Sequence, residues 1–446
     1  MTGVSRRRFL GTTATGALGA ALTSVAASAE EEPKKVSAND KIHVALIGCG
    51  GRGQSDLEKH LDLAEIECVA VCDVDRRHSK ETADKVEEKH GNRPEEYVDF
   101  RRVLDREDVD VVIVGTPDHW HALPTIMACQ AGKDVYCEKP LATTIKEGRV
   151  MVEAARKHNR IVQVGTQQRS AEHFQDAVDF VKSGQLGKIR LIRAWAYLDW
   201  KGEVPVKPDS EPPEEVDYDF WLGPAPKRPF NENRFHFDFR WYWDYSGGLM
   251  TDWGAHMIDI VAWGLGGEQP KSAVSFGGKY GYPEDAMETP DTQQAVVEYE
   301  GLSMIWEHAL GVGRGPFDRE HGVAFHGNNG ILIVDRGGWE VWAETNDVDV
   351  PRREYKMTPV PRQDSHGDYH KKHVENFIAC VKSREKPKAD VEIAHQGVIP
   401  CHLANIALRT GRTIHWDPEK EEILGDPEAN KLVGREYRAP WSLPEG

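Results

Sequence analysis

The chain has 446 residues, 39 % hydrophobic and 29 % charged, with a formal net charge of −17. That length is enough to bury two domain-sized cores, and the balance describes a soluble globular protein rather than a disordered or membrane-embedded one. So acidic a surface argues against nucleic acid, anionic lipid and highly phosphorylated substrates and favours neutral sugars or polyols. No later run of about 18 apolar residues offers a membrane span.

The first 29 residues contain Arg6, Arg7 and Arg8 and no acid, so their removal takes the charge from −17 to −20. Ser5 to Leu10 read SRRRFL, a mild Gly/Ala/Thr/Leu stretch follows, and Ala27-Ser28-Ala29 supplies a small-x-small cleavage site. This is the pattern of a twin-arginine export signal, cleaved after Ala29. It implies the twin-arginine machinery as a partner and a periplasmic or otherwise exported location. An uncleaved amphipathic N-terminus is the alternative. Residues 30–40 read as a polar linker.

From residue 41 the expected unit is a dinucleotide-binding domain running to 160. An apolar strand, Ile42 to Ile47, leads into Gly48-x-Gly50-x-x-Gly53, with Gly51 and Arg52 inside the turn. Glycines there permit a tight turn and close approach of backbone to a pyrophosphate, and the next helix presents free N–H groups. A second strand, EIECVAVCDVD, ends in Asp73, 20 residues after Gly53, where a carboxylate should accept from an adenosine ribose. Asp73 would repel a 2′-phosphate, which favours NAD over NADP, although Arg76 and Arg77 stand close. Two further strands run into Thr116-Pro117-Asp118-His119-Trp120-His121 and into Glu138-Lys139-Pro140. Both turns should face the cofactor, because ligands of doubly wound sheets bind beyond the strand carboxyl ends. The cofactor-binding candidates are therefore Gly48, Gly50, Gly51, Arg52, Gly53, Asp73, Thr116, Pro117, His121, Glu138 and Lys139.

Between 161 and 412 the rhythm changes to consecutive hairpins, with turns at Glu300-Gly301, Asn328-Asn329-Gly330 and Gly337-Gly338. They predict a large, open, mostly antiparallel sheet, with helices in YHKKHVENFIACVKS and GVIPCHLANIALRTGR, the latter kinked or started at Pro400. The stretch RFHFDFRWYWDY packs seven aromatic rings besides His236 into twelve residues. They could line a carbohydrate cleft or serve as core or subunit contact. In GGLMTDWGAHMID, Asp252, His256 and Asp259 share one face if the segment is a single helix. Two carboxylates and an imidazole on a buried stripe are costly unless they bind something; satisfied core residues are the other reading. No metal is expected, since few ligands stand on one helix without a partner element. Gln168, Arg169, Arg240 and Trp243 join Lys139, Asp252 and His256 as substrate-binding candidates. The seven cysteines are odd in number and lack C-x-x-C or zinc spacing, so no disulfide framework is expected. Residues 413–446 carry no motif and are expected to be an oligomerisation arm.

Taken in order, the glycine turn, TPDHWH, CEKP and GGLMTDWGAHMID resemble the Gfo/Idh/MocA oxidoreductases, the family of glucose–fructose oxidoreductase and inositol dehydrogenase. The resemblance covers about residues 41–412. It implies an N-terminal Rossmann domain followed by an open-faced α/β domain, assembled into dimers or tetramers. It also implies catalytic roles for Lys139, Asp252 and His256, and a place near the nicotinamide for His121. The chemistry expected is hydride transfer between a sugar, polyol or glycoside hydroxyl and NAD. The ring of His256 would take the proton because an imidazole titrates near neutrality, and Lys139 would stabilise the alkoxide. An NAD-dependent glycoside hydrolase using transient oxidation is the alternative, and a non-catalytic carbohydrate-binding protein a third. An exported enzyme finds little fresh NAD, so the cofactor should stay bound and be recycled.

Overall fold

The computed structural model describes residues 41–346 and 354–446. The readings placed on residues 1–40, signal and linker, lie outside the described residues.

Six strands form the first sheet: β1 (Ile42–Ile47), β2 (Ile66–Cys72), β3 (Glu95–Tyr97), β4 (Val111–Val114), β5 (Asp134–Cys137) and β6 (Val162–Val164). All pairs are parallel and the order is β3-β2-β1-β4-β5-β6. The strands β4 and β5 are buried along their whole length, as expected of a parallel sheet covered on both faces. One face packs on Phe100, Trp120 and Ile126, the other on Leu57, Val374 and Phe377. The helix Tyr369–Ser383 thus returns from late in the chain to cover the first sheet. The sixth strand lies just past the expected boundary at 160.

The second sheet has ten strands: β7 (Ile189–Leu198), β8 (Ser272–Gly278), β9 (Thr292–Tyr299), β10 (Leu302–Leu310), β11 (His321–Gly327), β12 (Gly330–Asp335), β13 (Gly338–Ala343), β14 (Val360–Asp364), β15 (Ile414–Asp417) and β16 (Glu422–Ile423). Their order is β14-β13-β12-β11-β7-β10-β9-β8-β15-β16, and only β7 with β10 is parallel. The three expected hairpins are present, closing at Tyr299↔Leu302, His326↔Ile331 and Asp335↔Gly338. Alternation in β9 sends Ala295, Val297 and Tyr299 inward, on the side covered by the helix Val391–Thr410. Of the two readings placed on this helix, a start at Pro400 is not met. It starts at Val391, where Asp390 caps it by accepting from the Glu392 N–H, and Pro400 lies inside it. Gly411, at φ 67°, closes it.

The tail folds onto its own chain. Trp441 lies 4.9 Å from the Trp120 ring and 5.3 Å from Phe220, and it stacks on Phe100. Arg435 and Tyr437 both reach Glu147 Oε1, at 2.7 and 2.6 Å, while Arg438 pairs with Asp219 at 2.7 Å. Residues of both halves are therefore tied by one strap. Replacing Trp441 with Ala should lower the unfolding free energy by about 2 kcal/mol; a urea unfolding curve superimposable on the wild type would refute the strap.

Burial holds His60, His308 and His402 at about 4 and His119 and His373 at about 3. Below about 6.5 the unfolded chain binds protons at these rings that the folded chain refuses. Asp56, raised by burial to about 7, opposes this by one proton. Stability should fall as pH drops from about 6.5 towards 4, measured by urea unfolding at stepped pH. A flat profile across that window would contradict the burial.

Candidate active site between the two sheets

The glycine turn is fixed by sterics. Gly48 has φ +92°, and a Cβ on Gly53 would sit 2.0 Å from the Gly48 carbonyl oxygen. Gly115, at the end of β4, would bring its Cβ within 2.6 Å of Gly53 Cα, so turn and strand end can cross only as glycines. At Gly50 and Gly51 a Cβ would meet nothing, because both face a cavity of about 770 Å³. Gly50 precedes the helix Gly51–Leu61, whose bare N-terminus opens on that cavity. At the end of β2, Asp73 accepts from Cys49 N at 2.7 Å and from Asp75 N at 2.8 Å, which fixes its carboxylate on the cavity wall. An open helix N-terminus beside an oriented carboxylate fits the pyrophosphate and ribose of a dinucleotide. Over this end lies His236 from the other half of the chain, Nε2 3.0 Å from Asp75. Asp75, His78 and His236 bring donor atoms within 4.8 Å of one another, yet the Arg77 guanidinium already holds both oxygens of Asp75.

At the other end of the cavity the two halves meet through charge. Lys139 follows β5 and donates from Nζ to Asp252 Oδ1 at 2.5 Å and to the Asp252 carbonyl at 2.9 Å. Arg240 approaches the same carboxylate at 3.5 Å. Burial alone would raise the Asp252 pKa, but Lys139 and Arg240 outweigh it and hold the group below the usual range. Asp252 sits behind these cations, while Lys139, Arg240, His256 and Arg336 line the cavity. Burial, with Arg336, Lys139 and Arg52 nearby, pushes His256 well below its ordinary value. The ring is therefore neutral, and Nδ1 is buried without a partner. The expectation was titration near neutrality; burial first, and the cationic surroundings after it, move the ring below that. Arg52 donates to Glu138 at 3.0 Å and pairs with Asp56 at 2.9 Å, so the arginine of the glycine turn is held between two carboxylates.

Several expected site residues stand elsewhere. GGLMTDWGAHMID is not one helix: Leu249–Asp252 and Gly254–Gly264 are separated at Trp253. Asp259 is a buried partner of Arg169, which donates from Nε at 2.7 Å and Nη2 at 2.8 Å, so neither reaches the cavity. The ring nitrogens of His121 lie 2.7 Å from the Pro140 carbonyl and 2.9 Å from that of Thr116; it pins the two turns together rather than lining the cavity. Gln168 is buried, its Oε1 accepting from Arg336 at 3.1 Å. Trp243 points away, donating to the Glu288 carbonyl at 3.0 Å beneath Arg409. Of the aromatic stretch, Trp241, Tyr242 and Tyr245 are core, while Phe237, Phe239 and Arg240 reach the cavity. Thr116, Pro117, Glu138 and Lys139 line it as expected. Sequence reasoning missed Arg336, in a hairpin turn that reads as punctuation, and Asp118, which accepts from the Ser246 hydroxyl at 2.5 Å.

Because Asp259 is the sole carboxylate on Arg169 among the described residues, Asp259→Ala should strand a buried guanidinium and cost about 3–5 kcal/mol. Thermal unfolding reads this; a variant as stable as the wild type would show that the pair is dispensable.

Residues 42–166 match a family model described as the Gfo/Idh/MocA oxidoreductase family, NAD-binding Rossmann fold. Residues 150–281 and 344–443 match that family's C-terminal alpha/beta domain. A glycosyl hydrolase family 109 protein of Shewanella pealeana is 31 % identical over 170 residues, 34 % of this chain and 37 % of that protein. Inositol 2-dehydrogenase of Salmonella typhimurium is 26 % identical over 191 residues, 41 % of this chain and 54 % of that one. The matched stretches thus span about half or less of these relatives. The aldose-aldose oxidoreductase of Caulobacter crescentus, crystallised with glycerol, shares the fold with a TM-score of 0.62 at 20 % identity, over 84 % of this chain and 99 % of that one. With both halves matched by family models and the two-sheet architecture in place, the chain belongs to the Gfo/Idh/MocA oxidoreductases.

Proposed function

We propose that the protein is an exported NAD-dependent oxidoreductase acting on a CH–OH group of a sugar, polyol or glycoside, with the cofactor retained between turnovers. The observation that carries this reading is Lys139, just after β5 in the first half, paired with Asp252 of the short helix in the second half, beside the neutral ring of His256, on a cavity that begins at the glycine turn. NAD, when bound, supplies the hydride acceptor. Lys139 Nζ donates to the reacting oxygen and stabilises the negative charge that develops there. Asp252 holds Lys139 and Arg240 in place. Neutral His256 has a lone pair free to take the hydroxyl proton. Asp73 favours NAD, since both of its oxygens already accept from backbone N–H groups and a phosphate there would be repelled. SRRRFL supports export of the folded holoenzyme. On the open face of the second sheet Phe276, Val296 and Trp342 stand exposed, which supports a homo-oligomer.

The second reading, a glycoside hydrolase that oxidises and re-reduces its sugar, is favoured by the match to the family 109 protein. Fluorescence of the purified protein with a panel of sugars and glycosides separates the two: accumulating NADH marks a dehydrogenase, cleavage without net NADH a hydrolase. Lys139→Ala and His256→Ala should each lose at least ~10²-fold in turnover while native mass spectrometry still finds the dinucleotide bound. Wild-type rates in both variants would sink the assignment, and a protein stripped of NAD by gel filtration would sink cofactor retention.

A further inference from the structure

Three cations meet at the substrate end of the cavity with few counter-charges. Lys139 and Arg240 share Asp252. Asp118, whose pKa is raised by burial, is engaged by the Ser246 hydroxyl. Arg336 comes from the turn between β12 and β13 and lines the cavity. Its guanidinium lies 4.6 Å over the Trp253 ring, and its Nε donates to the neutral Gln168 amide. Among the described residues no carboxylate lies within ion-pair distance of Arg336 and neither Nη has a protein acceptor. The adjacent Asp335 is already held by Arg319 at 3.0 Å and Arg362 at 3.2 Å. Gln168 also donates from Nε2 to the His256 carbonyl at 3.4 Å, which keeps Arg336 beside the proposed base.

A largely buried guanidinium without a counter-ion is costly, and a planar fork with two free Nη atoms matches a carboxylate bidentately. We propose that Arg336 recognises the carboxylate of an anionic substrate, a sugar acid, whose reacting hydroxyl lies at Lys139 and His256. This rests on the oxidoreductase reading and names its substrate class. Burial is the main cause of the depressed His256; the carboxylate would offset the second cause, the neighbouring cations, and so make the ring a better base.

The test pairs D-glucuronate with D-glucose and D-galacturonate with D-galactose on the NAD-loaded protein, reading affinity by calorimetry and turnover by NADH fluorescence, with glucose 6-phosphate as a third anion. Each acid should bind at least ~10-fold more tightly than its neutral partner, the scale of a charge-assisted bidentate contact. Arg336→Gln should erase that preference, raising KM for the acid far more than it lowers kcat, while Arg336→Lys keeps part of it. Three results would overturn the proposal: no acid binding, a preference for neutral sugars or the phosphate, or a preference that survives Arg336→Gln. Loss of NAD from Arg336→Gln would also overturn it, by assigning the guanidinium to the cofactor. Preferential acid binding with no NADH formed with any sugar leaves this inference standing and removes the dehydrogenase reading; NADH formed equally from acids and neutral sugars does the reverse.

Discussion

The ion pair between Lys139 and Asp252 is the contact on which the rest of the site depends. It joins the end of β5 to the start of the helical segment in the second half, 113 residues later. Two charges withdrawn from water this far are stable only when geometry and further hydrogen bonds offset the desolvation. Here a second bond to the Asp252 carbonyl, and Arg240 behind the same carboxylate, do so. The contact also places the cavity, because a lysine held by one domain and a carboxylate held by the other define a cleft between them. His236 on Asp75 makes a second contact between the halves at the cavity, and the tail on Glu147 and Asp219 ties them again elsewhere.

Features set by short-range sterics were legible in the sequence. A turn in which Gly48, Gly53 and a strand end must cross admits few residue types, and Asp73 follows at a distance set by one helix and one strand. The hairpins were readable for the same reason: their turn residues announce the register. What was not legible depends on partners remote in the chain. Asp259 looked like a member of the site because its spacing from His256 is helical, but the break at Trp253 separates Asp252 from that helix and Arg169, 90 residues earlier, claims the carboxylate. His121 was drawn to the cofactor by its neighbours in the motif, yet two carbonyl oxygens occupy its ring. The start of the helix at Val391 was hidden because Pro400 reads as a boundary, whereas the helix runs through it with both Pro400 and its neighbours buried.

Net charge shows the same division between global and local. A chain of −17 repels anions at a distance, but the Debye length at physiological salt is about 8 Å. Within the cleft the charges are mixed: Lys139, Arg240, Arg336 and Arg52 line it together with Asp73, Asp118 and Glu138, and Arg336 alone of these cations lacks a carboxylate partner among the described residues. A net charge of −17 therefore does not set which charges the cleft itself can accept.

The seven cysteines are all buried and unpaired, and burial pushes every thiol upward, Cys68 and Cys129 to about 12. Oxidants and disulfides react with the thiolate, so the folded protein presents almost none to them. The unfolded chain, with seven ordinary thiols, would scramble. An oxidising compartment is thus safe for this protein only after folding is complete, which makes the order of folding and exposure a chemical requirement of the core itself.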